Sequence, residues 1–258
     1  MSRLLVLAAL AALVVVWSAS ASASTRRWVP KPETTWQWQL SGRIDQSVKA
    51  ELYDIDLFDT SAATVAGLHR LRRHVVCYLD AGTYEPGRPD AASFPAAVLG
   101  ADVEGWPGER WLDVRRLDVL GPILKRRLDL CRRKGFDGVE PDNVDAYAND
   151  SGFPLSGADQ LRFNRFVAAA AHARGLSVGL KNDLDQVRAL QPHFDWALSE
   201  QCFQYRECDS LKPFARAGKA VLIAEYQLPP RAFCAQARAA GYVAIRKRLT
   251  LGAWRQTC

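Results

Sequence analysis

The eleven residues from Gly135 to Asp145 carry four acids, and two of them, Glu140 and Asp142, stand on either side of Pro141. In extended chain, residues two apart share a face, so Glu140 and Asp142 point together while Val139 points away. Two carboxylates side by side at a strand end suit proton transfer and attack on an electrophilic carbon. The competing reading is a surface turn, because Asp, Asn and Pro are common turn residues.

Other catalytic material is sparse. The four histidines, at 69, 74, 172 and 193, are dispersed, and no Cys-x-x-Cys occurs, so neither a Ser/His/Asp set nor a metal site is expected. No Gly-rich phosphate loop follows the first strand candidate. Carboxylates dominate, and the reaction that two carboxylates perform without a cofactor is glycoside hydrolysis, one acting as acid while the other attacks or activates water. Trp36, Trp38, Tyr84, Trp106, Trp111, Tyr147, Phe203, Tyr205 and Tyr226 fall near expected strand ends or their loops, where sugar rings would stack. Each alone is more often a core or rim residue.

Apolar runs alternating with amphipathic stretches position these side chains. Eight strands are expected: Trp36–Leu40, Tyr53–Phe58, Val75–Asp80, Gly138–Asn143, Ser177–Asp183, Ala197–Gln201, Val221–Gln227 and Tyr242–Arg246. Helices are expected near Ala62–Arg73, Leu120–Lys134, Ala158–Arg174, Leu184–Gln191, Leu211–Ala217 and Arg231–Ala240, while Ser41–Leu52 is too short for a long one. Gly135, Gly175, Gly218 and Gly241 each punctuate a helix end before a strand, where a left-handed residue is needed. Eight such units close a single (β/α)8 barrel of the TIM type. The long segment Gly82–Asp113 reads as a loop walling the cleft.

Period-two alternation turns Ile55, Leu57, Val75, Cys77, Val139, Val178, Leu180, Leu222, Ala224, Val243 and Ile245 toward the helices. The inward set is then polar: Asp54, Asp56, Tyr78, Asp80, Glu140, Asp142, Lys181, Asp183, Glu200, Glu225 and Arg246. Buried carboxylates need partners, and Lys181 and Arg246 are the available cations, so Asp54, Glu140, Lys181 and Arg246 read equally as an internal ion-pair network.

Met1-Ser-Arg3, an apolar run to Trp17 and small residues from Ser18 to Ser24 have the order of a secretory signal peptide. The run is shorter than the roughly 20 residues that span a bilayer, so export with cleavage near residue 21 or 23 is expected, without stable membrane insertion. The expected division is a leader over 1–23, a short segment over 24–34 and the barrel over 35–258. Loss of Arg3 leaves 33 basic and 28 acidic residues, a mild excess without a dense basic run, which argues against nucleic acid. Six cysteines in an exported chain suggest disulfides. Cys202 and Cys208 flank a short loop, Cys234 and Cys258 would tie the C-terminus to the last helix layer, and Cys77 and Cys131 remain.

Seven ordered motifs, Trp36-Gln-Trp-Gln-Leu40, Asp54-Ile-Asp-Leu-Phe-Asp59, Cys77-Tyr-Leu-Asp-Ala-Gly82, the segment Trp106–Arg115, the segment Gly135–Asp145, Gly179-Leu-Lys-Asn-Asp183 and Ala224-Glu-Tyr226, together resemble glycoside hydrolase family 114. That resemblance implies a TIM-barrel endo-α-1,4-polygalactosaminidase without a cofactor, acting as a monomer on a cationic polysaccharide such as deacetylated galactosaminogalactan. It also implies Asp142 as nucleophile and Glu200 as general acid/base, with Trp38, Asp56, Asp80, Lys181, Asn182, Asp183, Glu225 and Tyr226 at the substrate. Alternative pairs join Glu140 or Asp142 to Glu225. Other readings are a non-catalytic carbohydrate-binding barrel, a glycosidase of another α-glycan, and a metal-assisted hydrolase using Asp54, Asp56, Glu140 and Asp142.

Overall fold

The computed structural model describes residues 27–258, so the expected leader lies outside the described residues. Eight parallel strands follow in chain order: β1 (Trp36–Gln39), β2 (Leu52–Asp56), β3 (His74–Asp80), β4 (Gly138–Asp142), β5 (Ser177–Lys181), β6 (Trp196–Glu200), β7 (Val221–Glu225) and β8 (Val243–Arg246). Each pairs with its successor, as the barrel reading requires. Helices α1 (Ala62–Arg70), α2 (Leu117–Lys134), α3 (Gly157–His172), α4 (Val187–Leu190), α5 (Lys212–Arg216) and α6 (Pro230–Ala240) bury the outer face of the sheet. All four punctuating glycines take positive φ, from 67° at Gly218 to 93° at Gly135. None of the described helices is long and apolar enough to cross a membrane.

Among the described residues no ladder joins β8 to β1. The C-terminal segment bridges that seam instead. Leu40 N–H donates to Leu251 O at 2.9 Å and Gln37 Nε2 to Ala253 O at 2.7 Å, while the Trp36 indole Nε1 reaches directly across to Val243 O of β8 at 3.0 Å. Residues Gln256–Thr257 then add a short antiparallel strand to β8. Trp36, Trp38 and Trp196 fill the barrel beneath the polar layer with Leu52, Val76, Leu198 and Leu222. Gly179 makes room for that floor, since a Cβ there would stand 2.5 Å from the Trp196 ring.

The expected faces hold for β2 to β5, where Ile55, Val75, Cys77, Val139, Val178 and Leu180 join the helix-side core. In β7 and β8 the phase is one residue off. Leu222, Ala224 and Ile245 face inward with the indoles, Val243 packs on them, and Ile223 and Ala244 face the helices. Every residue of β7 is buried, so no polar position marks its solvent side and alternation cannot choose a face.

The segment Gly82–Asp113 is also more ordered than a loop. Thr83–Tyr84, Leu99–Asp102 and Arg110–Leu112 form a three-stranded antiparallel sheet with the last strand central. The three disulfides are Cys77–Cys131, Cys202–Cys208 and Cys234–Cys258. The first pins β3 to α2, and the third pins α6 to the C-terminus.

Candidate active site

Strand ends build the site. Asp142 ends β4, Lys181 ends β5 and Glu200 ends β6, and the residues that follow, Asn143, Asn182 with Asp183, and Gln201, all take positive φ between 45° and 57°. Such left-handed turns tolerate Asn and Asp better than branched residues, and they stop each strand at its reactive side chain. The expected strand Ser177–Asp183 therefore ends two residues early.

The Lys181 ammonium is 1% exposed and meets three carboxylates: Glu140 Oε1 at 2.8 Å, Asp142 Oδ1 at 2.8 Å and Glu200 Oε2 at 3.2 Å. Its underside faces the Trp38 ring at 4.7 Å. Burial alone would favour neutral lysine, but the surrounding carboxylates win and push its pKa well above the ordinary value. Asp142 also accepts from Asn143 N–H at 2.8 Å and from the Tyr78 hydroxyl at 2.9 Å. Burial raises the Asp142 carboxyl, and Lys181 with these donors outweighs it, so Asp142 lies below the usual carboxylate range. Glu200 accepts the Tyr226 hydroxyl, and its backbone N–H donates to Asn182 Oδ1 at 3.0 Å. The two oxygens that share this ammonium, at 2.8 and 3.2 Å, are at most about 6 Å apart.

Around this centre opens a cavity of about 760 Å³, lined by nine acids and two cations. Asp142 and Glu200 are at its floor with Asp56, Glu85, Glu109, Asp145, Asp183, Asp185 and Glu207 around them. The cations are Lys181 and Arg88, and Arg88 is held by Asp56 and Glu85 at 2.7 Å each. The cleft is thus anionic on a chain whose formal charge is +6. Burial, then mutual repulsion, raises three of its acids: Asp145 to about 6, Glu109 to about 7 and Asp183 to about 8. Trp38, Trp106, Trp111, Tyr147, Tyr205 and Tyr226 supply aromatic surface, whereas Trp36, Tyr84 and Phe203 pack elsewhere.

The structure therefore gathers Trp38, Asp56, Asp142, Lys181, Asn182, Asp183, Glu200 and Tyr226 in one cleft. Two expected members, Glu225 and Asp80, are elsewhere, as is the expected inner cation Arg246. Glu225 follows the shifted phase of β7 away from the cavity, is fully buried and accepts Phe203 N–H at 2.8 Å, which also removes the alternative pair. Arg246 shares that shift and donates to Tyr226 O at 3.3 Å, so it is no partner for the inner carboxylates. Asp80 is buried below the cleft, where Thr83 N–H at 2.7 Å, the Thr83 hydroxyl and Asn143 Nδ2 at 2.7 Å consume it as a turn anchor. The proposed oxygen ligands for a metal are split: Asp56 goes to Arg88, and Glu140 and Asp142 go to Lys181. Sequence reasoning missed Glu85, Arg88 and Glu109, because they lie in a segment without periodicity.

The family model described as glycoside-hydrolase family GH114 matches residues 17–258. Ega3 of Aspergillus fumigatus, solved in complex with galactosamine, is 42% identical, covering 91% of this chain and 99% of its own, with a TM-score of 0.86. The glycoside hydrolase domain of PelA from Pseudomonas aeruginosa shares the fold at 15% identity and a TM-score of 0.69, covering 86% of this chain and 98% of its own. No curated protein matches the chain. With the match spanning the barrel and the carboxylate cleft, the chain belongs to glycoside-hydrolase family GH114 and is a glycoside hydrolase.

Proposed function

We propose that this protein is an exported, monomeric endo-hydrolase of α-1,4-linked galactosamine polymers that works by a retaining mechanism on Asp142 and Glu200. The observation that carries the reading is the single ammonium of Lys181, which draws carboxylates from two strands to the floor of one cleft. The Asp142 carboxylate attacks the anomeric carbon while Glu200 gives its proton to the departing glycosidic oxygen. Water then enters, Glu200 takes its proton, and the glycosyl–Asp142 ester is hydrolysed. The shared ammonium, which keeps the facing oxygens of the two carboxyls within about 6 Å, supports this two-step route.

Substrate charge follows from the lining. Nine acids against two already paired cations favour a polymer with protonated amines, and the Ega3 complex with galactosamine points to the same sugar. The leader-like sequence over 1–23 supports export. Asp142→Asn and Glu200→Gln should each lower kcat on partly deacetylated α-1,4-galactosamine polymer by about 10³-fold or more, with circular dichroism and Tm near the parent values. Near-parental turnover by either variant would refute the assignment.

A further inference from the structure

Beneath the catalytic pair lies a second carboxyl pair that the two-carboxylate reaction does not use. Asp54 on β2 and Glu140 on β4 are both 0% exposed. Glu140 Oε1 is bound by Lys181 at 2.8 Å, but Glu140 Oε2 and both oxygens of Asp54 have no hydrogen-bond partner among the described residues. Three such carboxyl oxygens, fully buried, would be untenable if both groups were ionised. One proton pairs Glu140 Oε2 with one Asp54 oxygen and leaves only a neutral carbonyl oxygen without a donor, which costs far less to bury than a charge.

We propose that Asp54 is a positioning residue, protonated at neutral pH, that donates its proton to Glu140 Oε2 and thereby fixes the Lys181 ammonium between Asp142 and Glu200. The location of the proton follows from the partners. Glu140 is bound directly by Lys181 and, although burial pushes it up to about 7, is the first of the two to ionise, whereas Asp54 has no donor among the described residues and faces Glu140. The charged and titratable groups around the pair are Tyr78 on β3, Asp142 on β4, Lys181 on β5 and Glu200 on β6. Glu140, Asp142 and Glu200 already face this one cation, so an ionised carboxylate at Asp54 would pull Lys181 down and away from the cleft. Burial and then Glu140 both push Asp54 well above its ordinary range, in keeping with this arrangement.

This inference rests on Asp142 and Glu200 being the working pair, but one of its tests does not. In infrared spectra at pH 8, wild-type protein should show the carbonyl stretch of a buried carboxylic acid that Asp54→Asn removes. A spectrum unchanged by that substitution would overturn the proposal whatever the reaction. Asn is nearly isosteric and keeps a donor, so Asp54→Asn should turn over within about threefold of wild type at neutral pH, whereas Asp54→Ala should lose about tenfold or more in kcat with little change in KM. The alkaline fall in kcat that Asp54 ionisation causes should be absent in Asp54→Asn. Equal losses in the two variants, or an alkaline limb left in place by Asp54→Asn, would contradict the proposal. If Asp54→Ala does not fold, the infrared and pH comparisons with Asp54→Asn decide it.

Discussion

At the residue scale, the site depends on one lysine serving three acids. Its ammonium donates to Glu140 and Asp142 and stands within ion-pair distance of Glu200. Arg at this position would bring a larger planar group into a space already closed by Trp38. Tyr226 touches only one of the three acids, which makes it separable from the rest. Tyr226→Phe should lower kcat about 10-fold while KM changes less than about twofold, because the lost hydroxyl orients Glu200. An unchanged kcat would show that Glu200 needs no such guide. Most of this residue set was legible: Trp38, Asp142, Lys181 and Glu200 follow from alternation and motif. Asp80 was not, since a buried carboxylate that anchors a Thr83 turn has the same sequence appearance as one that meets substrate.

At the scale of elements, strand existence was easier to read than strand phase. Runs of apolar residues bounded by turn signals located all eight strands, yet Val221–Glu225 is buried on both faces and gives no contrast to set direction. Glu225 was misplaced for that reason alone. The segment from Gly82 to Asp113 failed differently: its strands are only two to four residues long, below the reach of periodicity. Between elements, the disulfides differ in reach. Cys77–Cys131 closes 54 residues and Cys202–Cys208 closes 6. On chain-entropy grounds, removing the first should cost about 4 kcal/mol and the second about 2 kcal/mol. Urea unfolding of the paired Cys→Ala variants checks the order, and a larger loss from the short loop would contradict it.

At the scale of the whole molecule, net charge and cleft charge have opposite signs, so composition alone misdirects the choice of substrate. A screening length of about 8–10 Å lets the cleft acids govern what enters. Asp145, Glu109 and Asp183 have raised values of about 6, 7 and 8, so each is neutral below its value and charged above it. The cleft therefore gains negative charge as pH rises from about 6 to about 8. A trimethylammonium sugar keeps its charge throughout, so its Ki should fall across that interval and rise with added salt. A Ki flat in both would reject electrostatic recognition.

The most direct measurement is to identify the residue that becomes glycosylated. Glu200→Gln, given a galactosamine oligomer with an activated leaving group and quenched early, should carry one glycosyl adduct, and peptide mapping should place it on Asp142. An adduct on Glu140, or release of inverted product with no adduct at all, would contradict the account.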